Sequence, residues 1–266
     1  MILILLCDYS SLKYMEKYFS IINCRTFVAL GITGVATYFT LLMDFTYNYD
    51  PTFVSIAIVF LLVFTIRSAF KRREKALEFL SFFRSGLITM DHSFQRIKKL
   101  SPEDKAYVRS LIVRIPKLLI GFLTSQSVTL EEVRDEAEKV NSFIIDKSEF
   151  INSSSRLKLN RIFRDVHMGI ENSMSVKAHN TPSSMRAYCL IFIYIYPIIY
   201  TPSVYLKLQE GAFTDSAWLL YFLSMFSTFI LISLYNVQEQ LENPYDQKGL
   251  DYIHLTHFDL IRKSAY

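Results

Sequence analysis

Side chains suited to chemistry are few and scattered in this chain. His254 and His257 lie three residues apart with Asp259 close behind, a spacing that fits one helical face and a metal ion. No third ligand cluster accompanies them, and a structural or solvated pair in a polar tail accounts for them as well. Asp165 near His167 has the makings of an acid–base pair, yet it sits in a charged helical pattern where a solvated surface is the simpler use. His92 and His179 stand apart. Cys7, Cys24 and Cys189 are odd in number and widely spaced, so they indicate neither a disulfide framework nor a thiolate metal site. There is no glycine-rich phosphate loop. The expectation is no enzyme: no catalytic residues, no metal and no cofactor.

Three apolar side chains have a more informative spacing. Ile58, Leu62 and Ile66 recur every four residues and stack on one helical face. Several copies of such a face around an axis make three apolar rings, and rings of that kind gate ions by dewetting. An ordinary packed transmembrane helix carries the same pattern, because the whole segment is apolar. The sixteen residues from Pro51 to Ile66 hold no charge, and then Arg67, Lys71, Arg72, Arg73 and Lys75 follow on the same unbroken helical pattern. A helix that leaves the bilayer without stopping suits a pore liner. The basic cluster reads either as a site for anionic lipid or as a marker of the cytosolic side. Nothing beyond it supports nucleic-acid binding.

The elements that must position these residues are helices in a membrane. With 51% hydrophobic residues, 15% aromatic residues and a mean hydropathy of +0.23, the chain is too apolar for a soluble protein. Spans are expected at about 26–43, 51–66, 187–206 and 216–237, the first just long enough for a hydrocarbon core of ~30 Å. Residues 67–186 contain no membrane-length run and read as a cytosolic helical region. Its N-caps are expected at Ser101, followed by Pro102, and at Thr129, answered by Glu132, and Pro116 is expected to kink the first of these helices. Residues 8–25 suit a helix on the membrane surface, MILILLC at the start reads as retained, and 238–266 form a cytosolic tail. The fold class is therefore all-α and integral to the membrane, with residues 1–266 forming one protomer. Of the 29 Lys and Arg, 22 lie between Arg67 and Arg186, whereas the segments 44–50 and 207–215 hold only Lys207. Both termini and the helical region are expected in the cytoplasm, in a multi-pass protein of the cell membrane, plasma or bacterial inner.

After the fourth span come Glu242, Asn243, Pro244 and Tyr245. This run resembles the signature that follows the last membrane helix of the bestrophins. Three further features fall in that family's order: the apolar helix running into Arg67, its Arg-rich continuation, and the break Thr181-Pro182-Ser183 leading into Arg186-Ala187-Tyr188 and a span with Pro197 inside it. Together they cover most of the chain from about Thr26 to Leu255.

The resemblance implies a homopentameric ion channel with one central pore, its partners being copies of itself, membrane lipid and the permeant ions. The family's hydrophobic neck then falls on Ile58, Leu62 and Ile66, and its cytosolic aperture, by a gap-free extension back from Gly169, on Ile151. Calcium-gated members carry an acidic run after the proline motif. Here Asp246, Gln247, Lys248 and Gly249 stand in its place, a poor clasp for a cation that takes six to eight oxygen ligands, so the chain resembles the bacterial members and no calcium activation is expected. The family includes both chloride and cation channels. Outer acids such as Asp44 and Asp50 tilt the expectation slightly toward small monovalent cations. The alternative is a noncatalytic membrane scaffold or accessory subunit.

Overall fold

The computed structural model describes residues 21–211, 217–247 and 252–260. MILILLC, most of the expected surface helix at 8–25, Cys7, Lys248 and Gly249 lie outside them. The described residues form seven α-helices and no strand: α1 (Cys24–Leu42), α2 (Thr52–Arg96), α3 (Pro102–Leu123), α4 (Leu130–Asp146), α5 (Ser153–Ala178), α6 (Ser183–Glu210) and α7 (Ala217–Glu242), followed by a 3-10 turn at Leu255–Phe258. Four are long and apolar enough to cross a membrane: α1, the first part of α2, α6 and α7. The described residues divide into two compact units, one within 1–70 and 181–242, the other within 71–180, 243–248 and 252–266. Helix α2 contributes to both without interruption.

In the first unit α1 packs against α6 and α7, and those two pack on each other. The buried face of α1 is Thr26, Ala29, Thr33, Thr37 and Thr40, an unexpectedly polar stripe for a membrane helix. Its hydroxyls find partners locally. Thr33 donates to the Ala29 carbonyl at 2.8 Å, Thr37 to Thr33 at 2.8 Å and Thr40 to Ala36 at 2.9 Å, so these three hydroxyls are not left bare where water is absent. Thr33 also meets Thr228 of α7 at 3.0 Å, joining the two helices. A capping box at Asn23 and Thr26 starts α1. Asn236 of α7 holds that start by donating to the Ile21 carbonyl at 2.7 Å and the Thr26 hydroxyl at 3.0 Å, and Arg25 pairs with Glu239 at 2.5 Å.

Helix α6 contains Pro197 and Pro202, each of which removes a backbone donor from the helix. The loop before α2 is tied to this loosened stretch: the Tyr47 hydroxyl donates to the Ile199 carbonyl, and the Ser203 hydroxyl donates to the Tyr49 carbonyl. The two glycines of α1 differ. A Cβ on Gly34 would touch Met225 at 3.3 Å, whereas one on Gly31 would meet nothing within 4 Å, so of the two only Gly34 serves a close helix contact.

In the second unit the later part of α2 supplies Ala76, Leu80, Phe83, Leu87, Met90 and Phe94, spaced four and three residues apart, to one apolar core with α3, α4 and α5. The N-caps at Ser101 and Thr129 form as the sequence predicts, accepting from Asp104 and Glu132, and Asn152 caps α5 in the same way. Pro116 is buried inside α3, which continues through it to Leu123. Helix α2 runs through Gly86 without a break, to Arg96. Glycine at this position allows close packing on α5: a Cβ on Gly86 would lie 2.9 Å from Val166 Cγ2. On the other side of the same contact, a Cβ on Gly169 would lie 2.6 Å from Phe83 Cβ and 3.0 Å from its Cα.

A backbone atom cannot move aside as a side-chain tip can. Gly169→Ala is therefore expected to destabilise this unit by about 1–3 kcal/mol, while Gly31→Ala, with open space in front of it, stays within about 0.5 kcal/mol of the parent. Thermal melts of the two purified variants check this, and equal midpoints would remove the close contact.

The pore-helix candidate and the motif after the last span

Helix α2 begins at Asp50-Pro51-Thr52, where the Asp50 carboxylate accepts the Thr52 N–H at 3.0 Å and its hydroxyl at 2.6 Å. Within the membrane-length part the two sides of the helix differ sharply. Ile58 (1% exposed) and Leu62 (0%) pack into the first unit's own core with Cys189, Ile193, Tyr196 and Tyr235, and Ile66 is half-buried. Side chains enclosed by their own protomer cannot line a water-filled path, so the expected neck is corrected at Ile58 and Leu62. The opposite side carries Ile56 (62% exposed), Phe60 (60%), Val63 and Phe64, with Phe60 and Phe64 rings edge to face at 4.6 Å. Arg67 and Lys71 are exposed beyond them. At 100° per residue, Ile56, Phe60, Arg67 and Lys71 fall on one face.

The basic cluster is divided by the same geometry. Lys75 pairs with Glu78 at 2.6 Å on the surface. Arg72 instead turns to the end of α5, where its guanidinium donates to the Val176 carbonyl and to Asn180 Oδ1 at 2.7 Å. A cation is favoured there because the last carbonyls of a helix carry partial negative charge. Arg72 thus has a structural use that neither reading of the cluster foresaw.

The aperture residue expected at Ile151 is also corrected. It is 2% exposed, part of the second unit's core, and sits in the turn between α4 and α5 with its N–H bonded to the Lys147 carbonyl at 3.2 Å. A gap-free extension placed it there, and the turn folds it inward.

The motif after α7 is built as two anchors and a turn. Glu242 is nearly fully buried; its Oε1 accepts the Thr181 N–H at 2.5 Å and its Oε2 accepts Gln238 Nε2 at 3.3 Å. Helix α6 needs such a partner, since Pro182 at its start makes no side-chain cap. Asn243 Oδ1 accepts the Tyr245 N–H at 3.2 Å, closing a turn around Pro244, whose carbonyl accepts the Ile253 N–H at 3.1 Å. Tyr245 is wholly buried in the second unit against Ser173, and burial pushes its phenol up to about 12. All four motif residues therefore have structural contacts here. The family resemblance pointed to them, but the pairing of Glu242 with Thr181, sixty-one residues away, had no local signal.

Several other ionisable groups in the second unit are paired. Arg134 and Glu171 form two parallel bonds of 2.7 Å, and the guanidinium holds the Glu171 carboxyl below the usual carboxylate range. Glu136, 2% exposed, is met by Lys139 at 2.8 Å and Arg114 at 3.7 Å. His254 and His257 face each other at right angles with ring centres 6.0 Å apart, His254 resting on Tyr252, and among the described residues no group of three or more His, Cys, Asp or Glu is placed to hold a metal ion.

No protein-family model matches this chain, and no curated protein does. Solved structures do. A bacterial bestrophin homologue from Klebsiella pneumoniae, in a variant with one tryptophan replaced by alanine, superposes with a TM-score of 0.74 over 91% of this chain and 93% of its own at 14% identity. A second structure of that homologue gives a TM-score of 0.73 at 12% identity, covering 88% and 93% of the two chains. The likeness at this identity is one of fold, and it spans nearly the whole of both chains: this multi-pass membrane protein folds as the bacterial bestrophin homologues do.

Proposed function

We propose that the chain assembles with copies of itself, five as the resemblance implies, into an ion channel whose pore is lined by the exposed face of α2. The observation that carries this reading is one continuous helix, Thr52–Arg96, keeping large apolar side chains out of its protomer's core at Ile56, Phe60 and Phe64 and delivering exposed Arg67 just beyond them. Around a common axis these residues make apolar rings whose wetted and dry states set the conductance. Ions then diffuse along the axis with no covalent chemistry, no cofactor and no enzyme activity.

Orientation follows the basic residues, with both termini and the second unit on the cytosolic side of a cell membrane. Calcium activation is not part of the proposal, because Asp246 alone offers too few oxygens at the motif. Asp50 at the head of the helix and Arg67 below the apolar stretch bring one charge of each sign per copy, so discrimination between small cations and anions is weak. The slight lean to cations rests on the outer acids. Reversal potentials under a salt gradient decide it: a shift toward the anion's equilibrium potential removes the lean.

The purified chain in a planar bilayer is expected to pass voltage-driven current of small monovalent ions. Absence of current from intact oligomers would overturn the channel and leave the noncatalytic scaffold or accessory subunit.

A further inference from the structure

Between α1 and α6, within the first unit, lies a cavity of about 570 Å³. Val28, Gly31, Val35 and Phe39 line it along α1, and Ile198 and Pro202 face them from α6. Its lining is almost wholly apolar. The one hydroxyl, Thr40, is turned back to its own helix. Along α1 the lining runs from Val28 to Met43, roughly 22 Å at 1.5 Å per residue. A leaflet of a bilayer with a ~30 Å hydrocarbon core is about 15 Å deep, so the groove takes one acyl chain together with the ester end of a lipid.

A charged residue stands beside one end of the groove, outside its lining. Met43 and Phe45 both line it, and Asp44 stands between them with a left-handed backbone, φ 49°. Tyr205 donates to Asp44 Oδ1 at 3.0 Å and Gln209 to the same oxygen at 3.1 Å. Both bonds fix the carboxylate in place and, among the described residues, leave Oδ2 open. The chain itself has little to offer this oxygen: segments 44–50 and 207–215 contain the single basic residue Lys207, and its ammonium lies 3.9 Å from Asp50. A second copy in the same orientation brings no spare cation either.

We propose that the groove binds one acyl chain of a membrane phospholipid carrying a primary ammonium headgroup, which Asp44 receives at the Met43 end. The length, the apolar lining and the open carboxylate each match one part of such a lipid. A glycerol headgroup has no cation for Asp44, and its phosphate is repelled.

Native mass spectrometry of the full chain, released from nanodiscs holding equal amounts of ethanolamine and glycerol phospholipids with identical acyl chains, tests this. The ethanolamine lipid is expected to be retained about threefold over the glycerol lipid, the range of an exposed ion pair. Asp44→Asn abolishes that preference without lowering the number of lipids held. Gly31→Phe fills the groove and lowers the number for both lipids; Ala36→Phe does the same from the next turn. Equal retention of the two lipids by the parent chain, or an unchanged preference in Asp44→Asn, overturns the proposal. A Gly31→Phe chain that loses its oligomeric state while holding its full lipid complement places a second copy in the groove and overturns it too.

Discussion

Phe60→Ala is expected to raise the leak conductance of the reconstituted chain several-fold while leaving its melting point close to the parent's, and Leu62→Ala to do the reverse. The two residues are two positions apart on α2 and lie on opposite sides of it, one 60% exposed and the other fully enclosed. On the proposed pore face, removing Phe60 would widen an apolar constriction without opening a hole in the protomer. Removing Leu62 leaves a cavity against Cys189 and Ile193. In soluble cores that change costs about 2–5 kcal/mol. Lipid tails are as apolar as leucine, so the transfer part of the cost falls away in a bilayer and the packing part, about 1–3 kcal/mol, remains. Single-channel recordings and thermal melts on the same preparations read both effects. Were Leu62→Ala the leaky variant and Phe60→Ala the unstable one, the pore face assigned to α2 would be reversed.

The proposed pore helix is also a packing element of the protomer. Its membrane part buries Ile58 and Leu62 in the first unit, and its later part buries Leu80, Phe83, Leu87 and Met90 in the second. Each part therefore has a packed side that fixes its rotation about its own axis. The remaining side is left free, and the residues on it are not constrained by the protomer's packing.

The spans were legible because charge is dear in hydrocarbon: an uncharged run bounded by Arg25 and Asp44, or by Arg186 and Lys207, has little use outside a bilayer. The caps at Ser101 and Thr129 were legible because capping is local, a side chain reaching a backbone three residues on. The facing of α2 was not. Periodicity needs contrast between sides, and from Phe53 to Ile66 nearly every residue is apolar, so Ile58-Leu62-Ile66 and Ile56-Phe60-Phe64 are equally good stripes on paper. Ile151 failed for a related reason, since a turn residue has no periodicity to give its direction. Gly169 and Glu242 act on Phe83 and Thr181, residues far off in the chain, and nothing in their neighbours announces those contacts.

Tyr245→Ala is the second change expected to have a large effect. The side chain is wholly enclosed in the second unit, behind a turn that Asn243 and Pro244 hold in place. Truncating a buried aromatic ring costs about 3–5 kcal/mol, a large share of the roughly 5–15 kcal/mol that holds a typical domain folded. Tyr245→Phe separates the ring from its hydroxyl. Ser173 is the neighbour of that hydroxyl, and the phenol, neutral over the physiological range even at its ordinary value, is pushed by burial further up to about 12. Losing it therefore forfeits at most one neutral hydrogen bond, about 0.5–1.5 kcal/mol. Limited proteolysis and thermal melts should then rank the chains parent, Tyr245→Phe and Tyr245→Ala, with the larger gap between the last two. If Tyr245→Phe fell as far as Tyr245→Ala, the anchor would be the hydroxyl, and the motif would be holding a polar contact in place of an apolar plug.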